Sequence, residues 1–234
     1  MIRCPRPKPS GEVGIARKPA WRHVSTEPFR SRPRSPRWRI ERTLADELSN
    51  PLLEHDTLLI AVATAFGTAT GPEQLWEWLD DAARPLFGVR ANGLRDRAGA
   101  LATLMTSELG FVASPYGYEG LLLDEAIATR SAHPMLLATV GHELARRAGW
   151  RSLTAWTPGR YWTVLTADGY FAPIAYDADG APLDPSHLLF CCPHDLSYAI
   201  LTAIARDAPA ELAASAARIC DVLPLQPHEQ KDGG

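Results

Sequence analysis

The chain has no apolar run long enough to cross a bilayer. Its longest, Leu58 to Phe66 with Thr64 inside it, is far short of the roughly 20 residues a spanning helix needs. No basic-then-apolar opening with a small-residue cleavage site is visible, so no secretory leader is expected. Cysteine is scarce, with Cys4, Cys191, Cys192 and Cys220 the full set in 234 residues. They form no disulfide framework, and reduced thiols in a cytoplasmic protein are the expectation. G-x-S-x-G, a phosphate loop and a dinucleotide fingerprint are absent. So is any internal repeat at solenoid spacing. What is present is ordinary for a globular protein: 46% apolar residues, 22% charged residues and a net charge of −3.

That charge is unevenly placed. Residues 1–42 carry 12 Lys/Arg against 3 Asp/Glu and hold 7 of the 20 prolines. The remainder carries 12 against 24. A segment so charged and proline-rich buries too little apolar surface to offset the entropy of ordering it. The reading is therefore a basic disordered tail over 1–42 and one domain over 43–234. Trp21, Phe29 and Trp38 among the tail's arginines could stack on bases while the arginines pair phosphates. The acidic remainder would repel a phosphate backbone, so a nucleic-acid partner is expected only through the tail, and the solvated tail is the simpler reading.

Within 43–234 periodicity predicts helices over Asp56–Phe66, Pro72–Leu86, Leu94–Leu109 and Gly120–Arg130. A fifth runs from a Ser131 cap and Pro134 to Gly149. Its Leu137, Val140, Gly141, Leu144 and Ala145 share one face, while Thr139, Glu143, Arg146 and Arg147 share the other. The apolar face is expected to lie on a sheet. Three short β-branched and aromatic runs follow, Ser152–Thr157, Tyr161–Thr166 and Tyr170–Tyr176, with the hairpin signal Asp168-Gly169 between the last two. Helices return over Asp195–Arg206 and Pro209–Val222. The fold class is α+β.

Two stretches invite chemistry. His142-Glu143-Leu144-Ala145-Arg146 falls one residue short of the H-E-x-x-H zinc helix, because Arg146 stands where the second imidazole belongs and cannot coordinate zinc. His142 then reads as a satisfied, partly buried histidine, and no metal or other cofactor is expected. Cys191-Cys192-Pro193-His194-Asp195 brings thiols beside a histidine, but adjacent side chains in an extended segment point to opposite faces. Cysteine is among the most buried residue types, so structural burial is expected there, with His194-Asp195 opening the next helix.

Residues 94–195 do resemble a family. Glu108-Leu109-Gly110-Phe111, Tyr116–Ile127, Arg130-Ser131-Ala132-His133-Pro134-Met135-Leu136-Leu137, Glu143–Gly149, Pro158-Gly159-Arg160-Tyr161 and Tyr176-Asp177 with Gly180 occur in the order of the SirB-type transglutaminase-like domain. This is a bacterial branch of the transglutaminase-like superfamily. The resemblance implies a papain-like core, a central helix on a small antiparallel sheet. It also implies that the Cys, His and Asp of the catalytic triad fall at Pro134, Arg160 and Asp177. Proline offers no nucleophile and Arg160 stays protonated, so triad catalysis is excluded on chemical grounds.

The expectation is a non-catalytic peptide- or protein-binding module, a pseudoenzyme whose old cleft offers Arg160, Asp177 and Tyr161 to its partner. The alternative is a hydrolase or transferase of the same fold using Cys191 or Cys192 with His187 or His194, or cleft carboxylates such as Asp177 and Glu119.

Overall fold

The computed structural model describes residues 2–3, 36–67, 71–89, 93–114, 117–158, 160–176 and 188–223. Its organising element is the helix that starts at Pro134, so the others are best placed around it.

The helices are α1 (Pro36–Leu48), α2 (His55–Phe66), α3 (Pro72–Phe87), α4 (Leu94–Thr103), α5 (Leu123–Thr129), α6 (Pro134–Arg147), α7 (Pro193–Asp207) and α8 (Ala210–Val222). A π-helical turn, Leu104–Glu108, extends α4, and a 3₁₀ turn, Glu119–Leu121, precedes α5. The strands are β1 (Ile2–Arg3), β2 (Val112–Ala113), β3 (Ser131–Ala132), β4 (Ser152–Thr157), β5 (Arg160–Ala167), β6 (Tyr170–Ala175) and β7 (Leu189–Cys191). The main sheet is antiparallel throughout, in the order β1-β6-β5-β4-β7, and β2 pairs β3 in parallel. This is the expected α+β class. Asp168 (φ 50°) and Gly169 (φ 79°) make the left-handed two-residue turn between β5 and β6 that their sequence signalled.

Strand alternation divides β5 cleanly. Leu165 faces α6 and joins the main core, and Thr163 Oγ1 donates to the Ala138 carbonyl at 2.7 Å. Trp162 and Val164 turn to the other face, where they pack with Ala155, Phe171 and Leu188. Gly141 allows the helix its close approach. A Cβ there would lie inside van der Waals contact of the Tyr176 hydroxyl and 2.6 Å from Thr163 Oγ1. A second core joins distant parts of the chain: Leu44, Leu48, Leu58, Val62 and Phe66 from α1 and α2 meet Leu196, Ile200, Leu201, Ile204 and Ile219 from α7 and α8.

Three expectations are corrected. The domain boundary at 42 falls inside α1, whose Leu44 and Leu48 are buried and whose Glu41 accepts from Ser215 Oγ at 2.6 Å; the arginines that make this stretch look tail-like share a helix with core leucines. The rest of the tail, residue 1 and residues 4–35, lies outside the described residues. The cap of α6 is His133 rather than Ser131: its Nδ1 accepts the Met135 N–H at 3.1 Å, while Ser131 pairs in β3. α2 and α3 cover Thr139 and Glu143 on the polar face of α6 and bury them, while Arg146 on the same face is exposed. Cys192 is exposed, not buried, because it caps α7 in a reciprocal pair with Asp195.

Candidate functional site

Pro134 sits at the first turn of α6 and Arg160 opens β5 opposite Thr157. Alternation puts Arg160 on the Trp162 side of the sheet, away from α6. The side chain that meets the start of α6 is Tyr161, whose ring lies 5.8 Å from that of His133, edge to face. Asp177 and His187 lie outside the described residues. Glu119 is exposed on the 3₁₀ turn, and that turn abuts the start of α6 through the His133 N–H, which donates to the Gly120 carbonyl at 2.8 Å.

The thiols near this end are not activated. Burial pushes Cys191 up to about 12, with the nearby Asp195 charge adding to it. Cys192, though exposed, is also raised, chiefly by partial desolvation of its sulfur at the start of α7. His194 Nε2 lies 3.0 Å from the Asn50 carbonyl oxygen. A nucleophilic cysteine needs the opposite, a depressed thiol beside an imidazole.

A cluster of ionisable groups lies elsewhere among the described residues, where the first turn of α2 meets α6. His55, His142 and Glu143 each turn a ligand-capable atom inward, and these atoms all lie within 4.8 Å of one another. The two imidazoles sit with ring centroids 4.2 Å apart. His142 Nε2 is 3.9 Å from Glu143 Oε1. Ser152 Oγ at the start of β4 lies 3.0 Å from His142 Nδ1 and 3.2 Å from the His142 carbonyl oxygen. A serine hydroxyl has one proton. Given to the carbonyl, it leaves Oγ to accept from Nδ1–H and leaves the Nε2 lone pair facing Glu143. His55 Nε2 is buried and has no hydrogen-bond partner.

Around this trio runs a charge network. Arg146 Nε donates to both oxygens of Glu143 at 3.2 and 3.0 Å, and its Nη2 donates to Asp56 Oδ2 at 2.7 Å. Arg147 donates to the same Asp56 oxygen at 3.2 Å, reaches Asp80, and lies over the Trp76 ring. Glu54 Oε2 stands 3.7 Å from Arg146 Nη2. Burial pushes His55 down to about 3, helped by His142 and Arg146, and pushes His142 down to about 4, with Arg146 adding and Asp56 opposing. Both imidazoles are neutral at pH 7. Burial pushes Glu143 up to about 7 against the pull of its hydrogen bonds from Arg146.

The chain matches no family model, no curated protein and no solved structure. The likeness of residues 94–195 to the SirB-type domain therefore stands on the residues that carry it.

Sequence reasoning singled out His142 and Glu143 and passed over His55 and Asp56. A signal for the second pair exists. The helix His55–Phe66 is otherwise almost wholly apolar, so a histidine and an aspartate in its first turn must be either exposed or partnered by charge. Asp56 is 2% exposed, and the partners are Arg146 and Arg147, about 90 residues further on. Distance in sequence hid the pairing.

Proposed function

We propose that the protein is a non-catalytic, SirB-like transglutaminase-type module that binds an extended peptide segment of a partner protein along β7, the edge of its sheet. The observation that carries this reading is the apolar row at that edge. Leu189, Trp156 and Tyr161 are direct cross-strand partners on three successive strands. Leu189 is 53% and Trp156 37% exposed on the face that carries Tyr161, and Phe190, which pairs with Ala155 and turns to the opposite face, is 48% exposed. An edge strand presents backbone N–H and C=O groups to any extended chain that aligns with it, and apolar side chains beside it give such a chain its pockets. Exposed apolar side chains on both faces of an edge strand mark an interaction surface more often than a lone exposed leucine does. The acidic balance after residue 42, 24 acidic against 12 basic residues, favours a partner segment with basic flanks through steering. The elevated Cys191 thiol supports binding rather than acyl transfer.

Selection of displayed short peptides on the full chain tests this. Recovered sequences should be extended, rich in β-branched or aromatic residues, and flanked by Lys or Arg. Leu189→Asp and Phe190→Pro should each weaken the best of them by about tenfold or more, with the urea midpoint unchanged. Failure to recover binders, or binders indifferent to both substitutions, overturns the reading.

A further inference from the structure

The trio at the α2–α6 crossing, with His142 and Glu143 buried and His55 partly so, has a composition that neither the peptide-binding reading nor the fold requires. We propose that His55, His142 and Glu143 form a binding site for a divalent transition-metal ion of the zinc class.

The donors come from rigid elements, two from consecutive positions on α6 and one from the first turn of α2. Zinc holds imidazole nitrogen and carboxylate oxygen at about 2.0–2.2 Å, so tetrahedral neighbours stand roughly 3.3 Å apart. The trio already lies within 4.8 Å, with His142 Nε2 and Glu143 Oε1 at 3.9 Å, so small side-chain rotations close the set. Two imidazoles and one carboxylate select a borderline metal over calcium or magnesium, which prefer oxygen donors.

Two independent features point to a ligand here. His55 Nε2 is a buried ring nitrogen with no partner, a state that is costly unless something completes it. His142 is held from behind by Ser152 Oγ at 3.0 Å. That is the outer-shell support by which metal-bound imidazoles are fixed in orientation and tautomer.

Arg146 is the evident objection, since its guanidinium occupies Glu143. It is, however, already shared: Asp56 holds it at 2.7 Å and Glu54 stands at 3.7 Å. On metal binding the guanidinium leaves Glu143 and stays paired with those two, while Arg147 remains with Asp56 and Asp80. The charges facing the site are four carboxylates (Glu54, Asp56, Asp80 and Glu143) against two guanidiniums. A divalent cation balances that formal surplus. The Arg146 side chain is 43% exposed, so its outward swing also opens the path by which an ion and a fourth, water ligand reach the site.

The test uses the full chain, stripped with a chelator and titrated with Zn²⁺ by calorimetry and with Co²⁺ by visible absorption. One ion per chain is expected, with micromolar or tighter affinity and the d–d bands of a four- or five-coordinate nitrogen–oxygen site. Thiolate-to-cobalt charge transfer in the near ultraviolet should be missing. His55→Gln, at the helix start and not fully buried, should keep the fold and weaken binding at least tenfold. Arg146→Met should strengthen it, because it removes the competing cation. No binding at micromolar metal, binding that survives His55→Gln, thiolate bands that place the ion at Cys191 and Cys192, or weaker binding by a folded Arg146→Met chain each overturn the proposal.

Discussion

Replacing Gly141 by alanine sets two effects of opposite sign against each other. In a helix interior alanine is favoured over glycine by about 1 kcal/mol, so propensity alone predicts a more stable protein. The packing predicts the reverse. The new Cβ would collide with the Tyr176 hydroxyl, stand 2.6 Å from Thr163 Oγ1 and 3.2 Å from Tyr176 Cζ. Overpacking of a tight core costs about 1–3 kcal/mol. Pushing the tyrosine aside also breaks its 3.1 Å hydrogen bond with Thr163, and a buried hydroxyl left without a partner costs about 1–3 kcal/mol more. The net expectation is a loss of about 1–5 kcal/mol, or roughly 2–4 °C in Tm for each kcal/mol in a domain this size. Urea unfolding followed by tryptophan fluorescence, at constant m-value, measures it. Tyr176→Phe removes the obstructing oxygen, so Gly141→Ala should cost much less in that background than in the wild type, a coupling of at least about 1 kcal/mol. A Gly141→Ala protein more stable than wild type would refute the account of how α6 meets the sheet.

Other predictions follow from the same structure. A chain starting at Thr43 should unfold about 4–8 °C below one starting at Pro36, because it loses half of α1 and the bond from Ser215 to Glu41, together about 2 kcal/mol; equal melting temperatures would show that α1 contributes nothing before residue 43. Asp56→Asn should cost about 2–3 kcal/mol in chelator-treated protein, since Arg146 and Arg147 lose the buried charge they share, and a urea midpoint within error of wild type would dismiss the network as ornament. Cys191 and Cys220, pushed by burial up to about 12 and about 11, should react with iodoacetamide at pH 8 at least about a hundredfold more slowly than a free thiol; rapid labelling of Cys191, mapped by mass spectrometry, would restore the thiol-enzyme alternative. Burial, with Arg206 adding, lowers His133 below its ordinary value, so the unfolded chain takes up the proton first, stability falls as pH drops below about 6.5, and the cap to Met135 is lost only at lower pH, when the folded imidazole is protonated. His133→Asn, which caps without titrating, should lose about 1 kcal/mol less than wild type between pH 7 and pH 5, and identical pH profiles would remove His133 from the acid response.

The elements legible in the sequence were those governed by local rules. Asp168-Gly169 demanded a left-handed turn, Pro72 and Pro134 marked helix starts, and the leucine spacing from Leu137 to Leu144 marked one buried stripe. What stayed hidden depended on partners far along the chain. Residues 36–42 were assigned to the basic tail because α8, whose Ser215 bonds Glu41, lies some 170 residues away. The strand Leu189–Cys191 is three residues long and acquires its meaning only by pairing with β4. His142 and Glu143 were visible as a motif that failed at Arg146, and the missing imidazole arrived from His55 on another helix. Arg160 was assigned a place by order along the chain, whereas the two-residue period of β5 turns Tyr161, not Arg160, toward α6.

The second core has a consequence for biosynthesis. Leu44, Leu48, Leu58, Val62 and Phe66 leave the ribosome long before Leu196, Ile200, Leu201, Ile204 and Ile219, against which they close. At about 5–20 residues per second, the intervening 150 or so residues take roughly 8–30 s to synthesise. For that interval a nascent chain displays a greasy helical pair covered only in part, by Leu121, Leu122 and Met135, while the sheet hairpins can already form beside α6. Holding chaperones should therefore engage the α1–α2 segment during translation and release it once α8 has emerged. A ribosome stalled just after Tyr176 should carry such a chaperone, and one stalled well beyond Val222 should not.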